Sequence, residues 1–279
     1  MGGLKGVAAF AVVIVPSTAL STVAMHATNG VPFSETLLGS AVKSGEQGPC
    51  PEGMVFVDSG SGGFCIDAYE ASPDAACPYP APARSGETAE NLDAADCRPV
   101  SASDGVPWRY VARHQAEALC SSAGKRLPTP EEWYRAALGT PSYHDAAEEP
   151  VCNLDGTGPR PAEGLPECRS SAGASNMTGN VWEWVSGDVS GGEWNGRMLP
   201  ESGYVVSVDG AGLPLETAPD PERSYGNTYA HTKDGDRVSG VLRGGWWGSG
   251  TDGGVYAINT TVAPSFAGRA IGFRCARSL

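Results

Sequence analysis

The stretch "NMTGNVWEWVSG" at residues 176–187 joins a turn to a strand, and the fold depends on how that junction is built. Its first half holds Asn and Gly, which tolerate sharp backbone bends, and its second half alternates tryptophan with polar residues as a β-strand does. Asn176, Asn180 and Glu183 also offer oxygen atoms, and Gly179 lets the backbone curl so that carbonyl groups point inward. Because Ca²⁺ takes about six to eight oxygen ligands, this stretch could supply about half of a calcium shell. A turn that only leads into a strand explains the composition at least as well.

Two amphipathic helices are predicted upstream of this stretch, in "RHQAEALCSSAG" (113–124) and "KRLPTPEEWYRAALG" (125–139). In the second, Thr129 is the expected N-cap, Pro130 takes the first helical position and Glu132 completes a capping box. The apolar faces are Ala116, Leu119 and Cys120 in the first helix, and Trp133, Ala136 and Ala137 in the second.

The rest of the chain shows only short strand patterns. Met54–Val57 and Phe64–Tyr69 flank a Gly/Ser turn, which predicts a β-hairpin. Residues 73–105 are rich in Pro, Ala and Asp and are expected to be a loop, and 140–279 are expected to be loops with short strands. The predicted fold class is therefore α+β, with two helices packed on a small, loop-rich β core.

The N-terminus has the pattern of a secretory signal peptide over residues 1–25. Lys5 precedes an apolar run at 6–15, and small residues follow it. An uncleaved membrane anchor is the alternative; after signal cleavage no membrane insertion is expected. Residues 26–49 are polar and small, as in a linker, and a compact domain is predicted over 50–279.

The cysteine pattern favours an exported, disulfide-bonded domain. The chain has 8 cysteines, and no two of them have the C-x-x-C spacing of zinc fingers and redox motifs. An even number of cysteines without such spacing is typical of disulfides in an oxidising compartment. Sequence proximity suggests three pairs and leaves a fourth, although it does not fix the connectivity: Cys50–Cys65, Cys77–Cys97, Cys152–Cys168 and Cys120 with Cys275.

Charge and missing motifs exclude several classes of function. The net charge is -13, so nucleic acid and anionic membranes are not expected partners. The 4 histidines have no metal-ligand spacing, and there is no G-x-S-x-G elbow, Walker loop or dinucleotide fingerprint. Neither a hydrolase nor a nucleotide-dependent enzyme is supported.

Four motifs in order resemble the formylglycine-generating enzyme family, the sulfatase-modifying factors, and the likeness covers roughly residues 50–279. They are "AEALCSSAGKRLPTPEEWYRAA" (116–137), "NMTGNVWEWVSG" (176–187), "LRGGWW" (242–247) and "IGFRCAR" (271–277), preceded by "FCIDAYEAS" (64–72) as the opening strand. The resemblance implies a C-type-lectin-like fold with little regular secondary structure. It also implies a disulfide between Cys120 and Cys275.

The resemblance implies calcium as well. Members of the family bind calcium on the loop before the WEW segment, and the positions that match their ligands are Asn176, the carbonyls of Gly179 and Val181, and Glu183. A second family site would begin at Asn153 and Leu154, but no clear match exists for its later aspartate.

The copper site of the active family members has no counterpart here. Those enzymes use two cysteines after the RGG motif to bind copper(I), which soft sulfur ligands select, and they oxidise a substrate cysteine to formylglycine. The matching positions are Ser249 and Gly254, and no cysteine occurs between Cys168 and Cys275. Copper is therefore not expected as a cofactor.

A secreted binding or accessory domain is the function that remains, with an unknown glycan, peptide or protein as its partner. Trp246 and Trp247, with Ser249, Thr251 and Asp252, would form an apolar floor with polar edges. Either tryptophan could instead belong to the core, and Trp247 is expected to be the more accessible of the two. The alternative is an oxidoreductase of the same family: formylglycine generation, or the chemistry of the siderophore-tailoring members. The iron-dependent sulfoxide synthases of the family use a histidine cluster on an additional helical domain, and the sequence shows neither.

Overall fold

The computed structural model describes two compact units, Met1–Gly48 and Pro49–Leu279. The described residues are 12–13, 23–24, 48–60, 62–143, 149–232 and 237–279. In the first unit, strands β1 (Val12–Val13) and β2 (Val23–Ala24) pair antiparallel. Apart from these two strands, the predicted signal peptide lies outside the described residues, as do nearly all of the predicted linker, His26 and His144.

The described residues of the second unit form three α-helices, of which the sequence predicts two. They are α1 (Ser85–Asp93), α2 (Arg113–Ser122) and α3 (Pro130–Ala137). The capping box of α3 is present, because the amide of Glu132 donates to Thr129 Oγ1 and the Glu132 carboxylate accepts from the Thr129 amide. The six residues assigned to the apolar faces of α2 and α3 are all buried.

Helix α1 corrects the expectation of a loop over 73–105. It buries the polar side chains of Thr88 and Asn91 rather than an apolar stripe. Thr88 donates to the carbonyl of Arg109, and the Asn91 amide exchanges two hydrogen bonds with the backbone of Tyr79. Because distant backbone partners hold this helix in place, its sequence lacks the apolar periodicity that would predict it.

The β structure is larger than the small core that the sequence predicts. The strands among the described residues of this unit are β3 Met54–Asp58, β4 Gly63–Asp67, β5 Ala71–Pro73, β6 Pro99–Ser101, β7 Trp182–Ser190, β8 Glu193–Trp194, β9 Arg197–Met198, β10 Gly203–Val208, β11 Pro214–Ala218, β12 Tyr229–His231, β13 Val238–Gly244, β14 Gly254–Asn259, β15 Ile271–Phe273 and β16 Ala276–Ser278. Nine of these strands form one sheet in the order β11-β10-β12-β14-β13-β7-β8-β9, with β15 parallel to β7. Two smaller sheets pair β16-β4-β3 and β5-β6.

Both faces of the central strands β7 and β13 are buried. Val185 and Val241 belong to the apolar cluster that contains the α3 stripe. Trp184 and Leu242, one residue along each strand, belong to the cluster that contains the α2 stripe. Because successive side chains of a strand point to opposite faces, the two helices cover opposite faces of these strands.

The C-terminal strand pairs with the predicted hairpin, which is confirmed as β3 and β4. Strand β16 pairs with β4, so Ala276 lies opposite Ile66. The residue before β16, Cys275, is joined to Cys120 of α2. This arrangement brings Arg274, between β15 and β16, next to the carbonyl of Asp67 at the end of β4.

All eight cysteines are paired, in the four disulfides that sequence proximity and the family resemblance suggest. Four disulfides indicate a protein that folds outside the cytosol. Among the described residues, no helix has both the length and the apolar character that crossing a membrane requires.

Candidate functional site

The turn before β7 is built from residues that accept a left-handed backbone. Asn176 and Asn180 have φ angles of 55° and 57°, and Gly179 has a φ of 75°. A side chain at Gly179 would collide with the carbonyl of Asn153, to which the Asn180 amide donates at 2.8 Å. Glycine is therefore needed here both for its conformation and for the close approach of a second loop.

A buried ion pair joins this turn to the C-terminal motif. Arg274 Nε lies 2.7 Å from Glu183 Oε2, and Arg274 Nη2 lies 2.6 Å from Glu183 Oε1. The indole nitrogen of Trp133 donates to the same Oε2 at 2.7 Å. Both side chains of the ion pair are essentially inaccessible to solvent. The bidentate geometry is the strong form of this contact, and the pair connects three of the sequence motifs.

A second carboxylate, Glu70, lies in the same buried cluster. It accepts hydrogen bonds from Asn180 Nδ2 at 2.5 Å, Asn176 Nδ2 at 3.2 Å and the Val181 amide at 3.2 Å. Burial, followed by repulsion from Glu183, raises the pKa of Glu70 to about 8. Glu70 is not predicted as a site residue, because "FCIDAYEAS" has the pattern of a strand; a glutamate beside an apolar run is the signal that could have identified it.

Two features of this cluster fit a hard cation. Asn176 Oδ1 is buried and has no hydrogen-bond partner among the described residues. The Nδ2 group of the same side chain donates to Glu70, which fixes the orientation of the amide. Burial and repulsion from Glu183 also disfavour the ionised form of Glu70, and a nearby cation would favour that form. Glu183 Oε1 accepts only the bond from Arg274, so it retains a lone pair for a metal. The oxygens of Asn176 and Glu183 therefore suit calcium.

The second predicted calcium position has fewer free donors. Asn153 Oδ1 is buried without a partner. The carbonyl of Leu154, however, accepts a hydrogen bond from the Gly250 amide at 2.8 Å, so one of its two lone pairs is in use. A second calcium ion at these residues stays a prediction.

The other metal-ligating candidates are not free. Within the described part of the chain, one group of three potential ligands lies close together, Asp74, Cys77 and Cys97. Two of its members form a disulfide, so they offer no thiolate.

The positions that match the copper cysteines serve the backbone instead. Ser249 Oγ accepts a hydrogen bond from the Trp246 amide at 3.0 Å and so closes a turn. A β-carbon added at Gly254 would lie 2.6 Å from Thr228 Oγ1, so Thr228 fills the space of a side chain there. The loop is thus packed in a way that leaves no room for a cysteine at 254 without a shift of Thr228.

The arginine of the RGG motif, Arg243, binds backbone carbonyls inside the domain. Arg243 is fully buried and donates to the carbonyls of Gly212 and Val255 at 2.9 and 3.0 Å. Its guanidinium lies 5.1 Å from the ring centroid of Trp133, and burial lowers its pKa to about 10. These bonds tie β13 to the loop between β10 and β11 and to β14, so the guanidinium does not face a ligand.

The two adjacent tryptophans differ in exposure, and the expected order is reversed. Trp247 is only 4% exposed and packs against Val181 and Ala270, because its amide donates to the carbonyl of Asn180 and draws it onto the turn. Trp246 is partly exposed, and the two rings meet edge to face at 5.2 Å.

Trp246 borders a surface cavity of about 220 Å³, which we call the Trp246 cavity. Its other walls are mainly apolar, and Phe266 on its rim is 50% exposed. Its lining includes Trp182, Trp246, Asn259, Phe266, Arg269 and Ile271. Ser249 and Asp252, predicted as ligand contacts, do not line it.

Asp252 lies instead beside Tyr204 and His231. Burial raises the pKa of Asp252, although His231 and the hydroxyl of Tyr204 act in the opposite direction. Burial likewise lowers the pKa of His231. Thr251 belongs with Asp252 to a short 3₁₀ turn, Gly250–Asp252.

Comparisons with known proteins agree with the motif order. Over 91 residues the chain is 38% identical to the hercynine oxygenase of Mycobacterium tuberculosis, a match that covers 29% of this chain and 21% of that enzyme. Over 123 residues it is 28% identical to the inactive C-alpha-formylglycine-generating enzyme 2 of Bos taurus, covering 38% and 40%. The chain thus spans about a fifth to two fifths of the length of these relatives.

Among solved structures, the fold is similar to that of the major tropism determinant P3c variant. The TM-score is 0.45 and the identity 20%, over 82% of this chain and 53% of that one. The family model described as a sulfatase-modifying factor enzyme 1-like domain matches residues 84–279. Because this match covers more than half of the chain, the protein belongs to the sulfatase-modifying factor enzyme 1-like domain family and has the α+β, C-type-lectin-like fold of that family.

Proposed function

We propose that the protein is an exported ligand-binding domain of this family, without copper oxidase chemistry, whose ligand occupies the Trp246 cavity. The proposal rests on one observation: the domain has an open, aromatic-lined cavity, whereas the positions that match the copper cysteines hold residues that cannot bind copper. Ser249 and Gly254 offer no thiolate, and Thr228 occupies the adjoining space. Export, to the periplasm or the extracellular space, is supported by the four disulfides.

The Trp246 cavity has the character of a recognition site. Ligand sites are concave, mainly apolar and fitted with a few polar groups. Here aromatic rings from Trp182, Trp246 and Phe266 form the apolar part, and Asn259 and Arg269 are polar members of the lining. Phe266, which is 50% exposed, adds an accessible apolar group to this lining.

We expect Trp246→Ala to reduce ligand binding at least about tenfold, since buried aromatic anchors carry more than about 2 kcal/mol of binding free energy. The measurement is binding of labelled protein to glycan and peptide arrays, followed by titration of the strongest hit. Trp194→Ala is the matched control, because Trp194 is also partly exposed but lies outside this cavity. Equal binding by wild type and Trp246→Ala would refute the assignment of the cavity.

Calcium is the second part of the proposal, held by the side chains of Asn176 and Glu183 with the carbonyls of Gly179 and Val181. Support comes from Asn176 Oδ1, which is buried without a hydrogen-bond partner among the described residues, and from Glu70, whose ionised form a nearby cation would stabilise. The role of the ion would be structural: it would fix the turn against which Trp247 packs.

We expect calcium to raise the melting temperature of protein stripped with a chelator, because a ligand at 100 times its Kd adds about 2.7 kcal/mol to stability. Asn176→Gly should abolish that gain while keeping the left-handed backbone. Asn195→Gly is the control, since Asn195 is exposed and has a similar φ of 50°. A calcium response that survives in Asn176→Gly would place the ion elsewhere, and no response in the wild type would remove calcium from the account.

The mycobacterial relative favours a second candidate, an oxidoreductase, because that protein is named an oxygenase. The match is limited to about a fifth of its length. Oxygen consumption in the presence of the ligand found on the arrays distinguishes the two: a binding domain consumes none.

A further inference from the structure

Two neighbouring arginines lie at the Trp246 cavity: Arg269 is part of its lining, and Arg109 contacts Arg269 from outside that lining. The guanidinium of Arg269 lies 5.4 Å from the ring centroid of Trp246 and 5.7 Å from that of Trp247. The guanidinium of Arg109 lies 6.0 Å from the Trp247 centroid, and its Nη1 reaches the carbonyl of Arg269 at 3.5 Å. Neither arginine belongs to any of the ion pairs formed among the described residues.

The surroundings of Arg109 disfavour its positive charge. Glu87, whose charge acts on Arg109, is itself paired with Arg84 at 3.0 Å. Arg109 Nε is buried without a hydrogen-bond partner. Burial lowers the pKa of Arg109, and the positive charge of Arg269 acts in the same direction. Arg109 is half-buried and Arg269 is exposed, so an anion bound beside Arg269 would offset a positive charge that burial disfavours at Arg109.

We propose that the ligand of the Trp246 cavity is a carboxylate that carries one apolar group of about the size of an aromatic side chain. This inference rests on the proposed function, since it names the ligand class of the same cavity. At about 220 Å³ the cavity is smaller than the roughly 300–1,000 Å³ of sites for drug-sized ligands. The apolar group lies among Trp182, Phe266 and Ile271, and the carboxylate meets Arg269.

The shape of the site favours a carboxylate over other ligands. A guanidinium offers paired donors that match the two oxygens of a carboxylate, and stacking on tryptophan holds Arg269 in place beforehand. Cationic ligands are repelled by the two arginines. Inorganic phosphate lacks the apolar group that the aromatic walls would bury, so it gains nothing from Trp182 or Phe266.

Isothermal titration calorimetry with five probes tests the proposal. They are 3-phenylpropionate, its neutral amide, inorganic phosphate, and a pentapeptide ending in phenylalanine in two forms, with a free and with an amidated C-terminus. We expect at least one acid to bind about tenfold or more tightly than its amide, because bonds to charged groups contribute about 1.5–3 kcal/mol. Phosphate should not compete. Preference for 3-phenylpropionate identifies a free acid as the natural source, and preference for the pentapeptide identifies a chain terminus.

Arg269→Gln should reduce the difference in affinity between acid and amide to less than about threefold, because the variant no longer offers the carboxylate a charged partner. Arg223→Gln, at an exposed arginine outside the cavity, should leave it unchanged. Amides that bind as tightly as acids would overturn the carboxylate inference and leave the cavity as a binding site. Failure of every probe in a protein that does bind an array ligand through Trp246 would also overturn it, whereas failure of the arrays as well would overturn the proposed function.

Discussion

Replacing Arg274 by methionine is expected to lower the free energy of unfolding by about 3–5 kcal/mol, the cost of leaving a buried charge without its partner. Glu183 would lose both bonds of the bidentate pair. Glu70, whose ionised form is disfavoured by burial and by repulsion from Glu183, lies in the same cluster. The carbonyls of Asp67 and Ser175 would lose donors as well. Urea denaturation in the presence of a chelator measures the loss without a contribution from calcium.

Arg126→Met is the matched control. Arg126 forms a bidentate pair with Glu132 at 2.6 and 2.7 Å, but 41% of its side chain is exposed. Solvent screens such a pair, so the expected loss is about 1 kcal/mol or less. Replacing both buried partners, in Glu183→Leu with Arg274→Met, should recover part of the loss because no charge is then left alone. Equal losses at Arg274 and Arg126 would contradict this account.

Removal of the Cys120–Cys275 disulfide is the second large effect. In the chain-entropy model, a crosslink that closes 155 residues contributes about 5 kcal/mol, and one that closes 16 residues contributes about 3 kcal/mol. We therefore expect Cys120→Ala/Cys275→Ala to be less stable than Cys152→Ala/Cys168→Ala by about 2 kcal/mol. All four cysteines are buried, so the two double variants lose similar packing.

Thermal and urea unfolding of the two double variants provide the measurement. The long crosslink also ties α2 to the segment that carries Arg274, so its loss should weaken the buried ion pair and increase the difference. Equal stability of the two variants would show that loop length does not govern the contribution of these disulfides.

The sequence predicts those elements whose signals are local. Helix α3 follows from Thr129 and Glu132, three residues apart, and the hairpin of β3 and β4 follows from two apolar runs around one turn. Helix α1 escapes prediction because Thr88 and Asn91 are satisfied by the backbones of Arg109 and Tyr79. Burial of polar residues against distant partners leaves no periodic pattern.

The candidate site is predicted only in part, because some of its residues are close in sequence and others are distant. The motif around Asn176 and Glu183 is visible in one stretch, but Glu70 lies 106 residues before Asn176 and Arg274 lies 91 residues after Glu183. The two substitutions at the copper positions could be read directly, whereas the filling of that space by Thr228 could not. The exposure of adjacent tryptophans depends on a single backbone hydrogen bond from Trp247, which composition does not encode.

The central claim is that the loop after β13 binds rather than oxidises, and a conversion assay tests it most directly. Folded, calcium-loaded protein is incubated with copper, oxygen and a peptide that carries the Cys-x-Pro-x-Arg motif, and mass spectrometry detects conversion of the cysteine to an aldehyde. The account predicts no conversion above a control with copper alone, because Ser249 and Gly254 provide no thiolate. Conversion above that control would contradict it and would mean that other residues hold the metal.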